Sequence, residues 1–226
     1  MRKAGIVGGI GPASTLDYYK GVIEGCRARK GAYPELVVNS VSMSEMLSHV
    51  QGGDWDALVG MLSRAIDCLA GAGADFGAIA SNTPHIVFDR VRELSPIPLI
   101  SIVEETCRHA RSEGYGKVAV VGTRFTMGSG LYTEALAGCG IEAVVPPEAE
   151  QEAIHGIIFP NLENGVVLQE DKRRMLGIID RLLSESGADA LALACTELPL
   201  MVKEGDVGVP LLDTAQIHIR SIVDYM

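Results

Sequence analysis

The stretch GADFGAIASNTPH, residues 73–85, decides the fold because the chain writes it a second time as GADALALACTELP, residues 187–199. Each copy is an apolar run that stops at a small polar cluster. Aligned, Ser81 of the first falls on Cys195 of the second, 114 positions later. Lys3 and Gly8 match Lys117 and Gly122 at the same 114-residue offset, and IPLIS (97–101) resembles VPLLD (209–213) at an offset of 112. One supersecondary pattern is repeated over most of the chain.

Working outward, short apolar runs alternate with longer helical patterns, which is the signature of parallel strands joined by crossover helices. Strands are expected at 4–9, 36–41, 76–81, 98–102, 117–122, 142–146, 190–195 and 210–213. Helices are expected at 13–28, 54–71, 84–94, 103–113, 129–138, 171–186 and 214–225. No strand alternates cleanly between polar and apolar residues, as expected when both sheet faces are covered. The expectation is an α/β protein of two pseudo-symmetric, doubly wound lobes, each a mainly parallel sheet flanked by helices. The first takes residues 1–102 plus 213–226 and the second residues 103–212. Open parallel sheets bind ligands outside the carboxyl ends of their strands, where connections diverge. An active site is therefore expected in the interlobe cleft, with Ser81 and Cys195 addressing two faces of one substrate atom.

The bulk properties narrow the partners. The 226 residues, 47% of them apolar, suffice for a sizeable core. No apolar stretch approaches the roughly 18 residues that span a bilayer, so the cytoplasm is the expected location and no membrane partner is expected. A formal charge of −10 argues against nucleic acid and anionic membrane surfaces, since no basic stripe is present to release counterions. Cys26, Cys68, Cys107, Cys139 and Cys195 contain no CxxC pair, so reduced thiols are expected. The first four fall within or at the ends of helix-like segments and read as small buried hydrophobes. The five histidines include no i, i+4 pair, and no metal site is expected.

Chemistry concentrates at the two tips. Ser81 is followed by Asn82, Thr83 and Pro84, and Cys195 by Thr196, Glu197 and a nearby Pro199. Thr83 and Thr196 read as amino-terminal helix caps. Helix starts also bind carboxylates and lower the pKa of a neighbouring thiol. A thiolate beside a carbon-bound hydrogen is a general base, and a partner on the far side can return a proton to the opposite face. The glycine-rich GIVGGIGPAST (5–15) resembles a phosphate loop, but Ser14 stands where GxGxxG needs its third glycine. Its reading is a loop whose backbone passes close to a small ligand. In the second lobe, GTRFTMGSG (122–130) offers Thr123 and Arg124, the latter either a carboxylate clamp or a surface residue.

These motifs resemble the aspartate/glutamate racemase family, the Asp/Glu/hydantoin racemase superfamily. GIVGGIGPAST is similar to its opening loop, SNTPH to its first catalytic motif, GTRFTM to a second-lobe loop and ACTE to its second catalytic motif, with DTAQIH near the end. The resemblance covers essentially the whole chain. It implies cofactor-independent racemisation of acidic amino acids (aspartate or glutamate), no pyridoxal phosphate, and a homodimer. Residue by residue, it puts Cys195 and Ser81 at the acid/base positions. Asn82, Thr83 and Thr196 would hold the α-carboxylate or amino group, and Gly9 and Ile10 would line the opening loop.

Two departures bear on substrate and mechanism. Many members carry cysteine at position 81, whereas a subgroup with a hydroxyl residue there is associated with L-aspartate or L-glutamate. A hydroxyl is a far weaker acid than a thiol, so lopsided catalysis favouring the L enantiomer is expected, with the Cys195 thiolate as the base. Glu163, in FPNLENGVV (159–167), stands near where aspartate-specific relatives tend to carry a lysine for the distal carboxylate, and would repel that group. Either Arg124 substitutes, or the preferred side chain is longer or uncharged. Alternatives are a single-thiol decarboxylase of the arylmalonate type, or a silenced amino-acid-binding relative or Cys-to-Ser variant.

Overall fold

The computed structural model describes residues 1–226, which divide into two compact units: Met1–Glu105 with Ala215–Met226, and Thr106–Thr214. In chain order the first unit holds β1 (Ala4–Gly8), α1 (Pro12–Lys30), β2 (Leu36–Ser40), α2 (Met43–Gly52), α3 (Trp55–Gly71), β3 (Phe76–Ile79), α4 (Phe88–Leu94) and β4 (Leu99–Ile100). Helix α5 (Ile102–Ser112) carries the chain into the second unit. There follow β5 (Lys117–Gly122), α6 (Arg124–Gly128), α7 (Leu131–Gly138), β6 (Glu142–Val144), α8 (Glu148–Ile158), α9 (Gln169–Ser186), β7 (Ala190–Ala194), α10 (Leu198–Met201) and β8 (Leu211–Asp213). Helix α11 (Thr214–Tyr225) returns the chain to the first unit. No helix is long and apolar enough to cross a membrane.

Each unit contains one four-stranded parallel sheet, ordered β2-β1-β3-β4 in the first and β6-β5-β7-β8 in the second. The shared order is the structural form of the sequence repeat. Strands β1, β3 and β7 are buried at every residue, which explains their unbroken apolar runs. In both sheets the chain leaves the two central strands toward opposite edges. The connections therefore diverge between the carboxyl ends of β1 and β3, and likewise between those of β5 and β7.

Five short elements went unforeseen: α2, α6, α8, α10 and a 3-10 turn at Leu162–Asn164. Helix α2 buries only Met46 and Val50, and α8 buries Ile154, Ile157 and Ile158 behind an acidic first turn, so neither carries a long apolar stripe. Helix 84–94 is in fact a 3-10 turn, Thr83–Val87, followed by α4. Of the four cysteines read as buried, Cys26 and Cys107 are; Cys68, on the solvent side of α3, is exposed, and Cys139, just past α7, is intermediate.

The β1 tip is closed by backbone packing that excludes side chains. Gly9 has φ +87°, and a Cβ there would lie 2.3 Å from the Val41 carbonyl oxygen. Gly9→Ala should lower the unfolding free energy by about 2 kcal/mol or more in urea titrations. Gly31→Ala, with φ +68° and open space around it, should cost only about 1 kcal/mol. Equal losses would show that the contact with Val41 contributes nothing.

Candidate active site

In the second unit the site is built on the turn after β7. Cys195 is 6% exposed and directly follows the last strand residue, in a core with Leu162, Leu198 and Met201. Its Sγ donates to Oε2 of Glu197 at 3.2 Å, and the Thr196 hydroxyl donates to the same oxygen at 2.8 Å. Glu197 is itself only 8% exposed, and its other oxygen, Oε1, accepts no hydrogen bond from the protein. Burial, and after it the Glu197 carboxylate, push the Cys195 thiol well above its ordinary pKa. The backbone amides of Glu197 and Leu198 face the sulfur and act the other way, but do not prevail. Cys195 therefore rests as a thiol hydrogen-bonded to a carboxylate. This corrects the expectation that a helix start lowers the pKa of the thiol: α10 has four residues and little dipole to offer, and a carboxylate is the sulfur's neighbour.

Thr196 is not a cap either. The residue preceding α10 is Glu197, and the Thr196 hydroxyl serves that side chain instead. Thr123 does cap α6, accepting from the Thr126 amide at 3.2 Å, and its hydroxyl also lies 3.0 Å from that of Thr126. Arg124 turns outward, paired with Glu152 at 3.1 Å and lying over the Phe125 ring. Glu163 sits on the 3-10 turn that packs against α10. Partial burial and then the charge of Glu197 raise its carboxyl above the ordinary value. No three His, Cys, Asp or Glu side chains converge to hold a metal ion.

In the first unit, Gly9, Ile10, Ser81, Asn82 and Thr83 cluster at the tips of β1 and β3. The Gly9 amide donates to Thr15 Oγ1 at 2.8 Å, and Ser14 Oγ in the first turn of α1 donates to the Ala80 carbonyl at 3.3 Å. These bonds tie the glycine loop to the strand end that carries Ser81. Ile10 is 2% exposed and Asn82 3%. Thr83 is the first residue of the 3-10 turn and Asn82 the residue before it, so Thr83 is not the cap expected of it. Ser81 is 9% exposed, and no acceptor or base of the protein is hydrogen-bonded to its hydroxyl.

The model of the Asp/Glu/hydantoin racemase family matches residues 7–222. The chain belongs to that family, and so to the racemase class of enzymes. A broad specificity amino-acid racemase of Bacillus subtilis is 26% identical over 97% of this chain and 96% of its own. An aspartate racemase homologue from Pyrococcus horikoshii is similar in structure, with a TM-score of 0.85 and 37% identity over 100% of this chain and 99% of the other. A Yersinia pestis protein crystallised as a candidate Asp/Glu racemase superposes with a TM-score of 0.91 and 30% identity, covering 100% and 99%.

Two residues escaped the sequence reading. Glu197 was read only as a neighbour of Cys195 and given no role, and the signal was its position two residues after that cysteine. The other is His85 of SNTPH. Its Nε2 accepts from the Ile102 amide at 3.3 Å, which places the ring proton on Nδ1, beside the carbonyls of Ser81 and Asn82. His218 sits edge-on to it at 6.5 Å; its Nε2 donates to the Ile100 carbonyl at 3.0 Å and its Nδ1 accepts from the Tyr18 hydroxyl at 2.8 Å. Burial is the main cause that lowers His85 to about 3 and His218 to about 4. Both are neutral in the fold, while the unfolded chain protonates them below about 6.5. Below that pH the unfolded state binds more protons, so stability falls as pH drops from about 6.5 toward 4. Each histidine should contribute a slope of up to about 1.4 kcal/mol per pH unit. Urea titrations across this range should show a flatter profile for His85→Gln; an identical profile would contradict the assignment.

Proposed function

We propose that the chain exchanges the α-proton of an amino acid without a cofactor, with Cys195 on one face of the substrate carbon and Ser81 on the other. The observation that supports this reading is the Cys195–Glu197 hydrogen bond: a buried thiol with a carboxylate already in place to take its proton. In the proposed cycle the thiol proton passes to Glu197, the thiolate removes the α-hydrogen of the L enantiomer to become a thiol again, and Glu197 then releases its proton to solvent, which balances the proton that Ser81 draws from water. The Ser81 hydroxyl gives its proton to the opposite face and regains one from water in the same step, so it never stands as an alkoxide. The amides of Glu197 and Leu198 stabilise the transient thiolate. Asn82, Thr83 and Thr196 hold the α-carboxylate or amino group, and the loop at Gly9 and Ile10 closes over the backbone of the substrate.

Because a hydroxyl is a poor base, removal of the α-hydrogen from the D enantiomer at Ser81 is the slower half-reaction. L-specific exchange therefore outruns racemisation. The acidic side chain expected from the resemblance needs a cation for its distal carboxylate, and within the second unit Arg124 is already paired with Glu152.

Proton NMR in deuterated buffer, run over L- and D-amino acids, should show α-deuteration of L substrates and slower deuteration of their enantiomers. Cys195→Ala should lower the rate by 10²–10⁴-fold, roughly the contribution of a positioned acid/base group. Ser81→Cys should bring the two directions closer together. Absence of exchange with every amino acid, or full exchange in Cys195→Ala, would overturn the reading; carbon dioxide release from malonates in its place would transfer Cys195 to decarboxylation.

A further inference from the structure

We propose that His85 is a positioning residue for Ser81: its imidazole bridges the start of α5 and the Ser81–Asn82 peptide, and so fixes the direction in which the Ser81 hydroxyl leaves the tip of β3. The inference rests on the proposed racemase reading for what that hydroxyl does. The sheet shows why a bridge is needed. Strand β3 pairs with β4 at Gly77–Leu99 and Ala78–Ile100, so the ladder stops three residues short of Ser81. Past that point the Ala80 amide still reaches the Val7 carbonyl of β1 at 2.9 Å, whereas the Ser81 amide folds back onto the Ile79 carbonyl of its own strand at 2.9 Å. On the β4 side two imidazoles take over from the ladder. His218 Nε2 donates to the Ile100 carbonyl, and His85 Nε2 accepts from the Ile102 amide, the first of α5.

The His85 ring is held on all sides. It is 3% exposed, lies nearly parallel to the Phe88 ring with centroids 4.6 Å apart, and meets His218 edge-on. Accepting at Nε2 commits the ring proton to Nδ1, the nitrogen that faces the Ser81 and Asn82 carbonyls. Nδ1 is sealed from water and makes no hydrogen bond of ordinary geometry. A buried donor in that state costs free energy until an acceptor closes on it, which draws the Ser81–Asn82 peptide toward the ring. Holding that peptide restricts ψ of Ser81, and with it the direction of the side chain. Misplacing a reacting group by about 1 Å can cost roughly a hundred-fold in rate. Every member of the bridge belongs to the first unit, so proton removal at Cys195 does not depend on it.

The ratio of two rates reads this role. In deuterated buffer, α-deuteration of an L-amino acid needs only Cys195 on its face of the carbon, whereas conversion to the D enantiomer also needs Ser81. Loss of folded protein lowers both in proportion and leaves the ratio unmoved. His85→Phe keeps the stack on Phe88 and removes both nitrogens; it should lower racemisation relative to L-deuteration about ten-fold. His85→Asn, whose amide nitrogen stands near the place of Nδ1, should restore most of the ratio. His85→Gln, which reaches the Ile102 amide instead, should not. Nitrogen-15 NMR of the wild-type protein should show a neutral His85 with its proton on Nδ1. An unchanged ratio in His85→Phe, equal rescue by Asn and Gln, or a proton on Nε2 would overturn the inference and leave the racemase reading standing. A wild type that exchanges no amino acid would overturn that reading, and this inference with it.

Discussion

Burial of the central strands on both faces is the constraint on which the rest depends. Strands β1, β3 and β7 have no exposed residue along their length, so no functional side chain can project from them. Polar chemistry is displaced to the residues just past their carboxyl ends, and the strand order puts two such ends side by side in each sheet. The tips thus inherit dry surroundings from the strands behind them. Those surroundings determine the state of the group at each tip: Ser81 beside a neutral, buried histidine, and Cys195 as a thiol hydrogen-bonded to a buried carboxylate.

The repeat uses the same backbone for different chemistry. Gly122 at the end of β5 would, with a Cβ, approach the Ala194 carbonyl oxygen to 2.7 Å, and Gly8 at the end of β1 would meet the Thr15 side chain at 2.4 Å. Both glycines keep the adjoining tip tightly packed. What differs is what surrounds the residue at the second tip. Position 195 is followed by a carboxylate that turns back to it, whereas position 81 is followed by Asn82, Thr83 and the His85 ring, none of them anionic. A thiol with an acceptor in place and a hydroxyl without one are chemically unequal groups.

Much of this was legible in the chain. The apolar runs ending in SNT and CTE locate the strand tips, and a 114-residue offset shared by Lys3/Lys117 and Ser81/Cys195 reveals the duplication. The anomaly at Glu163 is visible as charge alone. The protonation of Cys195 was not legible, because it depends on Glu197 folding back across a two-residue turn, and on burial that only tertiary packing supplies. Thr83 and Thr196 misled for a related reason: cap propensity assumes a helix, and the structure places a 3-10 turn and a four-residue helix there. Helices α2 and α8 were missed because each buries two or three side chains in a sequence otherwise polar.

The central claim is that Cys195 is protonated at rest and bonded to Glu197. Infrared difference spectra between the wild type and Cys195→Ala at neutral pH measure it directly. The account predicts an S–H stretching band lost with the cysteine, lying at lower frequency than those of the other thiols and moving upward in Glu197→Gln. No band assignable to Cys195, the signature of a thiolate at rest, would contradict it.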